Sequence, residues 1–153
     1  MQPQIRPDVR IEVTTDIDAP PAGVWAVLEP VESHVEWMAD AERITFRTEQ
    51  HRGVGTEFEC LTRVGPLSTT DVMTVTEWEP RSVMGIEHRG AVVGRGRFTL
   101  HPLAARRTRF RWEEELHFPL WMGGPVGEIV AKPILTRIWA GNLRRLRERV
   151  EHA

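Results

Sequence analysis

The chain has 153 residues, 41% hydrophobic and 27% charged, which fits one domain able to bury roughly 70% of its unfolded surface without disulfides. A formal charge of −2 gives none of the basic excess expected of a nucleic-acid binder, and the single cysteine, Cys60, excludes an intrachain disulfide or a thiolate zinc cluster. No apolar run approaches the roughly 20 residues of a membrane span, and the N-terminal string lacks the apolar core of a signal peptide, so the expected location is the cytoplasm. One domain over 1–153 is expected, with 1–7, which holds Pro3 and Pro7, as a flexible lead-in. Lys132 is the one lysine among 20 basic residues, a bias that fits a GC-rich bacterial genome.

Alternation begins at Val9. Val9, Ile11, Val13 and Ile17 fall on one face and Arg10, Glu12, Thr14 and Asp16 on the other, a half-buried strand. Asp18-Ala19-Pro20-Pro21 then offers a cap and a first-turn proline, and Val24, Trp25 and Leu28 follow at helical spacing, so a helix is expected over about 20–29, ended by Pro30. A second short helix is expected over 33–38, capped by Ser33.

From Glu42 to His117 period two returns. Strands are expected around Ile44 and Phe46, over Phe58 to Val64, 67–79, 82–89, 93–100 and 108–116, separated by turn signals such as Gly53-Val54-Gly55, Gly65-Pro66, Pro80 and Gly90. Such spacing marks an antiparallel meander. The last third changes period. Leu135, Ile138, Trp139, Asn142, Leu143, Leu146 and Val150 recur at steps of three and four, opposite Arg137, Arg144, Arg145, Arg147 and Glu148. A long amphipathic helix is expected over about 125–151, with a kink at Pro133. An antiparallel sheet with one apolar face must cover it, and this helix is the one element with enough apolar area to do so.

That order of elements, and several local strings, resemble the START-like (SRPBCC, helix-grip) superfamily, in particular its polyketide cyclase/dehydrase and lipid-transport branch. The resemblance is carried by Ile17-Asp18-Ala19-Pro20-Pro21 with Val24-Trp25, by Glu36-Trp37, and by Gly53-Val54-Gly55-Thr56. Val75-Thr76-Glu77-Trp78-Glu79-Pro80-Arg81, Gly96-Arg97-Phe98-Thr99-Leu100, Thr108-Arg109-Phe110-Arg111-Trp112 and Asn142-Leu143-Arg144-Arg145-Leu146 complete it. It covers about 8–150. It implies an α+β helix-grip fold, a curved seven-stranded antiparallel sheet around a long C-terminal helix with two short helices between strands 1 and 2. It also implies a cavity for an apolar ligand, but no single reaction, since members include carriers, receptors and cyclases.

The expected inward faces carry Phe46, Phe58, Cys60, Met73, Met84, Phe98, Phe110 and Trp112 from the strands, and Leu135, Trp139 and Asn142 from the helix. They either fill a core or line a pocket, and methionines suit irregular apolar partners. Asp71, His88 and Glu114 are polar residues on the same faces, and an unpaired buried charge is costly. His88 and Glu114 are candidates for a carboxylate–imidazole pair, structural, ligand-anchoring or catalytic. The face of Asp71 is the hardest to read, because 67–79 mixes apolar and polar residues on both sides and a one-residue slip reverses it.

Trp121-Met122-Gly123-Gly124-Pro125 is either a lid at a pocket mouth or a tight connection with its tryptophan tucked under the helix. Glu32, His34 and Glu36 do not share a helical face and make a poor metal site. His51, His101 and His117 read as surface residues, Cys60 as a buried hydrophobe, and the arginine runs as a solvated face. No P-loop, dinucleotide fingerprint or HExxH is present. The sequence thus points to a protein that binds or transports a small hydrophobic molecule, with no metal or organic cofactor required. The alternative is a cyclase or dehydratase using the same pocket, with His88 and Glu114 moving protons. A charged interaction module is the weaker third.

Overall fold

The computed structural model describes residues 9–153, so the 1–7 lead-in lies outside the described residues. Seven strands form one antiparallel sheet in the order β1-β7-β6-β5-β4-β3-β2. They are β1 (Val9–Ile17), β2 (Ala41–Phe46), β3 (Glu57–Val64), β4 (Leu67–Glu79), β5 (Val83–Arg89), β6 (Val93–Ala104) and β7 (Arg107–His117). The first two strands are the two sheet edges, so the chain must travel from one edge to the other between them. It does so through α1 (Pro21–Leu28) and a 3-10 helix, Val31–Glu36. A second 3-10 turn, Leu120–Met122, leads into α2 (Gly124–Glu151). Among the described residues, no helix is long and apolar enough to cross a membrane.

The side-chain faces follow the two-residue period. On β7, Thr108, Phe110, Trp112, Glu114 and Leu116 are buried while Arg109 and Arg111 are exposed. On β4 the buried residues are Asp71, Met73 and Val75. A register shift between Val75 and Glu77 in the β4–β5 pairing bends the strand there. The outer face is laced with cross-strand ion pairs, such as Arg109 with Asp16 at 2.9 Å and Arg97 with Glu77 at 2.6 Å. Exposed pairs of this kind add little stability each.

The α2 helix lays Leu135, Trp139, Leu143, Leu146 and Val150 into the core, and it packs most extensively on β1. It continues through Pro133 as one helix.

Three local expectations are corrected. Asp18 does not cap α1: the helix starts at Pro21 with Pro20 in the cap position, and the Asp18 backbone N–H donates to Glu151 Oε2 at 2.9 Å. Ser33 lies inside the 3-10 helix and donates its hydroxyl to the Pro30 carbonyl at 2.6 Å, so it does not open a helix there. β6 runs past Leu100 to Ala104 in spite of Pro102. Its β5 partner ends opposite Thr99, so Pro102 faces only β7 and its missing N–H costs no ladder bond on the other side.

Candidate functional site

Sheet and α2 do not close completely on each other. Between them lies a cavity of about 310 Å³. Phe58 and Cys60 of β3, Asp71 and Met73 of β4, and Met84 and His88 of β5 line it from the sheet. Phe98 of β6 and Trp112 and Glu114 of β7 complete that wall, and Leu135 and Trp139 come from α2. Trp112 and Trp139 stack face to face, centroids 4.5 Å apart, joining sheet to helix. Leu67, Val130 and Ile134 line the cavity and are exposed, so the apolar wall reaches the surface at the β3–β4 turn and the first half of α2.

Four residues expected in the pocket stand outside its lining. Phe46 stacks on His51, centroids 3.8 Å apart. Phe110 is fully buried against Phe98 in the solid part of the core. Trp121 is 66% exposed on the 3-10 turn, and its neighbour Met122 faces the cavity in its place. Asn142 is fully buried and serves as a clamp: its Oδ1 accepts the Ala39 N–H at 2.9 Å and its Nδ2 donates to Asp40 Oδ1 at 2.8 Å.

Among the lining residues not expected from sequence, two are ionisable, His34 and Asp40. Val31, His34 and Trp37 are all buried at steps of three, the period of a 3-10 helix, and that spacing was the available signal for His34. His34 Nε2 lies 2.7 Å from the Leu28 carbonyl, which can only accept, so Nε2 carries the proton. Burial pushes the His34 pKa down to about 4, against the smaller upward pulls of that bond and of Glu32. Asp40 follows the helix in an irregular segment, where periodicity is silent, and accepts the Trp139 indole N–H at 3.0 Å.

The polar end of the cavity is built from neighbouring strands. Met73 pairs with His88, His88 with Gly94, and Gly96 with Glu114. His88 Nε2 and Glu114 Oε2 are 3.0 Å apart, with the residues 7% and 4% exposed. The two atoms are close but misaligned, and neither makes a directed hydrogen bond, so the contact is chiefly one of charge. The other Glu114 oxygen accepts the Trp112 indole N–H at 3.0 Å. Burial alone lowers the pKa of His88, but the charge and proximity of Glu114, with Asp71 adding to them, outweigh it and raise the pKa above its ordinary value. Asp71 is itself held by the Thr69 hydroxyl and the Val92 N–H, both at 3.3 Å.

Two glycines make room for these acids. A Cβ on Gly96 would lie 2.7 Å from Glu114 Oε1, and one on Gly90, whose φ is +142°, would collide with Asp71 Oδ1. Burial pushes the Cys60 thiol up to about 11, so it is no ready nucleophile. Among the described residues, no group of His, Cys, Asp and Glu is placed to hold a metal ion.

A curved antiparallel sheet gripping a C-terminal helix over an internal pocket defines the helix-grip class of the START-like superfamily. Residues 8–151 match the family described as polyketide cyclase / dehydrase and lipid transport, and the chain belongs to it. No curated protein sequence matches significantly. Among solved structures, the Zhui aromatase/cyclase from Streptomyces sp. R1128 superposes with a TM-score of 0.77 at 18% identity, covering 93% of each chain. A START superfamily protein from Mycobacterium smegmatis gives 0.69 at 13% identity, covering 94% of each chain. A protein from Thermus thermophilus gives 0.76 at 17% identity, covering 92% of this chain and 96% of that one. At these identities the likeness establishes the shared fold.

Proposed function

We propose that this protein binds or carries a small hydrophobic molecule, a lipid, isoprenoid or polyketide-like compound, in the cavity between sheet and α2, and does so in the bacterial cytoplasm. The carrying observation is a cavity of about 310 Å³ with mostly apolar walls and a few polar groups, among them the His88–Glu114 pair. That division suits a ligand with an apolar body and a single oriented polar group. Phe58, Met73, Met84, Phe98, Trp112 and Trp139 would hold the body. A chain of about ten carbons gains roughly 8 kcal/mol in gross burial, from which the costs of association are subtracted. The family description is consistent with this reading.

A cofactor-independent cyclase or dehydratase is the second reading. It is favoured by one observation, the acid–imidazole contact of 3.0 Å facing the pocket, which fits proton transfer to and from a held carbonyl compound.

The test is a fluorescence titration with the neutral dye Nile red. Saturable one-to-one enhancement in the wild type, lost in Met73→Trp with its thermal midpoint retained, is expected. No saturable binding, or binding unaffected by Met73→Trp, contradicts the reading. If His88→Ala abolishes turnover of a bound poly-carbonyl compound while keeping its affinity, the enzyme reading replaces the carrier.

A further inference from the structure

The polar groups of the cavity carry an unbalanced inventory. Three carboxyl side chains line it, Asp40, Asp71 and Glu114, and among the described residues no Lys or Arg does. The lining imidazoles are His34 and His88. His34 gives its N–H to the Leu28 carbonyl and is held neutral by burial, and His88 turns its Nε2 to Glu114.

The strong donors are already spent within the protein. Trp139 and Asn142 donate to Asp40, Thr69 and the Val92 N–H to Asp71, and Trp112 to Glu114. What remains are the weak Cys60 thiol, 3.7 Å from the Thr62 hydroxyl, and the ring of His88, whose charge Glu114 balances. Acceptor capacity is left over instead, since three carboxylates offer about four lone-pair sites each and their named side-chain and backbone donors number five.

Resting on the ligand-binding reading above, we propose that the cavity selects ligands whose polar end is an uncharged or cationic hydrogen-bond donor, a hydroxyl, phenol or amine, and rejects carboxylates and phosphates. An anionic head group entering here meets no lysine or arginine, finds the one imidazolium, His88, already matched by Glu114, and sits beside carboxylates in a site of low dielectric, where like charges repel strongly. A hydroxyl or ammonium group instead brings a donor and no like charge to a wall whose ionisable groups are mostly carboxylates. Charge-assisted bonds from a donor to a carboxylate are the stronger ones. A free fatty acid is therefore a poor ligand, and the alcohol or amine of the same chain a good one.

Three probes of one chain length separate the contributions: 1-decanol, methyl decanoate and decanoate, each displacing Nile red from the full-length protein at pH 7.5. Decanol is expected to bind at least about tenfold tighter than decanoate, about 1.4 kcal/mol, with the donor-free ester between them. In Glu114→Gln, which keeps an acceptor for Trp112, the gap between alcohol and acid is expected to shrink. If Nile red does not bind at all, the ligand-binding reading fails and this inference with it. If Nile red binds and decanoate displaces it as well as decanol does, binding stands and the selectivity is overturned. That decision needs only the wild-type protein, so a poorly folded variant leaves it intact.

Discussion

The buried contact between His88 and Glu114 allows a double-mutant cycle whose outcome the geometry sets. His88→Leu leaves Glu114 Oε2 inside the protein near Asp71, with no lysine or arginine along the cavity wall among the described residues. Removing one partner of a buried pair costs about 3–5 kcal/mol. Glu114→Leu leaves an imidazole that escapes by losing its proton, so the main cost is the Trp112 indole N–H, which loses the acceptor now 3.0 Å away, about 1–3 kcal/mol. The double variant strands neither charge. It retains only the indole penalty and adds apolar surface, so it should lie within about 2 kcal/mol of the wild type. The singles together should exceed the double by about 3 kcal/mol. Urea unfolding at pH 6, followed by tryptophan fluorescence and by circular dichroism, measures this. A coupling below about 0.5 kcal/mol would mean that water screens the two groups, and the reasoning from a dry polar end would fail.

Three further outcomes follow from individual residues. The two buried histidines act oppositely on acidification. Below pH 6.5 the unfolded chain protonates His34 while the folded chain resists down to about 4, so stability falls across that window, by up to about 1.4 kcal/mol per pH unit. His34→Phe should flatten the slope of thermal midpoint against pH, and an unchanged slope refutes the assignment. His88, with its pKa raised, contributes stability that is full below its ordinary 6.5 and is lost as pH climbs through its folded value. The wild type should therefore lose its advantage over His88→Leu on going from pH 6 to pH 9. Asn142→Leu removes the bonds to Ala39 and Asp40, a cost near 3 kcal/mol and a fall of roughly 6–12 °C in the thermal midpoint. A fall under 2 °C, roughly one kcal/mol or less, would mean that the clamp does not bear on folding. Cys60, with its thiol near 11, should react with a disulfide reagent at pH 8 about a hundredfold more slowly than a free thiol. Equal rates in native and unfolded protein would place it outside the buried wall.

The strands were legible because one face of each must be dry and the other wet. On β7 that demand leaves Phe110, Trp112 and Glu114 inside and Arg109 and Arg111 outside, and the alternation reads directly from the residues. Asp71 was harder, since Ser68, Thr69 and Thr70 blur the period, yet it lies inward with Met73. The alternation does not distinguish a cavity wall from solid core. Phe110 and Phe98 are two inward aromatics, and only the second borders the cavity, because curvature and the path of α2 decide which inward residues have a neighbour. Trp121 could not be placed for a related reason: an apolar side chain in a turn has no periodic partner to tell whether it points in or out. Asp40 lies in irregular chain after a 3-10 helix and is brought to the pocket by Trp139 and Asn142, about a hundred residues further along.

The most direct test of ligand binding is native mass spectrometry of freshly purified protein beside Met73→Trp, followed by solvent extraction and identification of what is released. The expected result is an adduct of a few hundred daltons, the size range of pocket ligands, on the wild type alone, whose extract carries a hydroxyl, phenol or amine on an apolar body. A bare mass for both proteins, with no uptake from a panel of lipids and polyketide-like compounds, would contradict the account and leave the cavity without a ligand role.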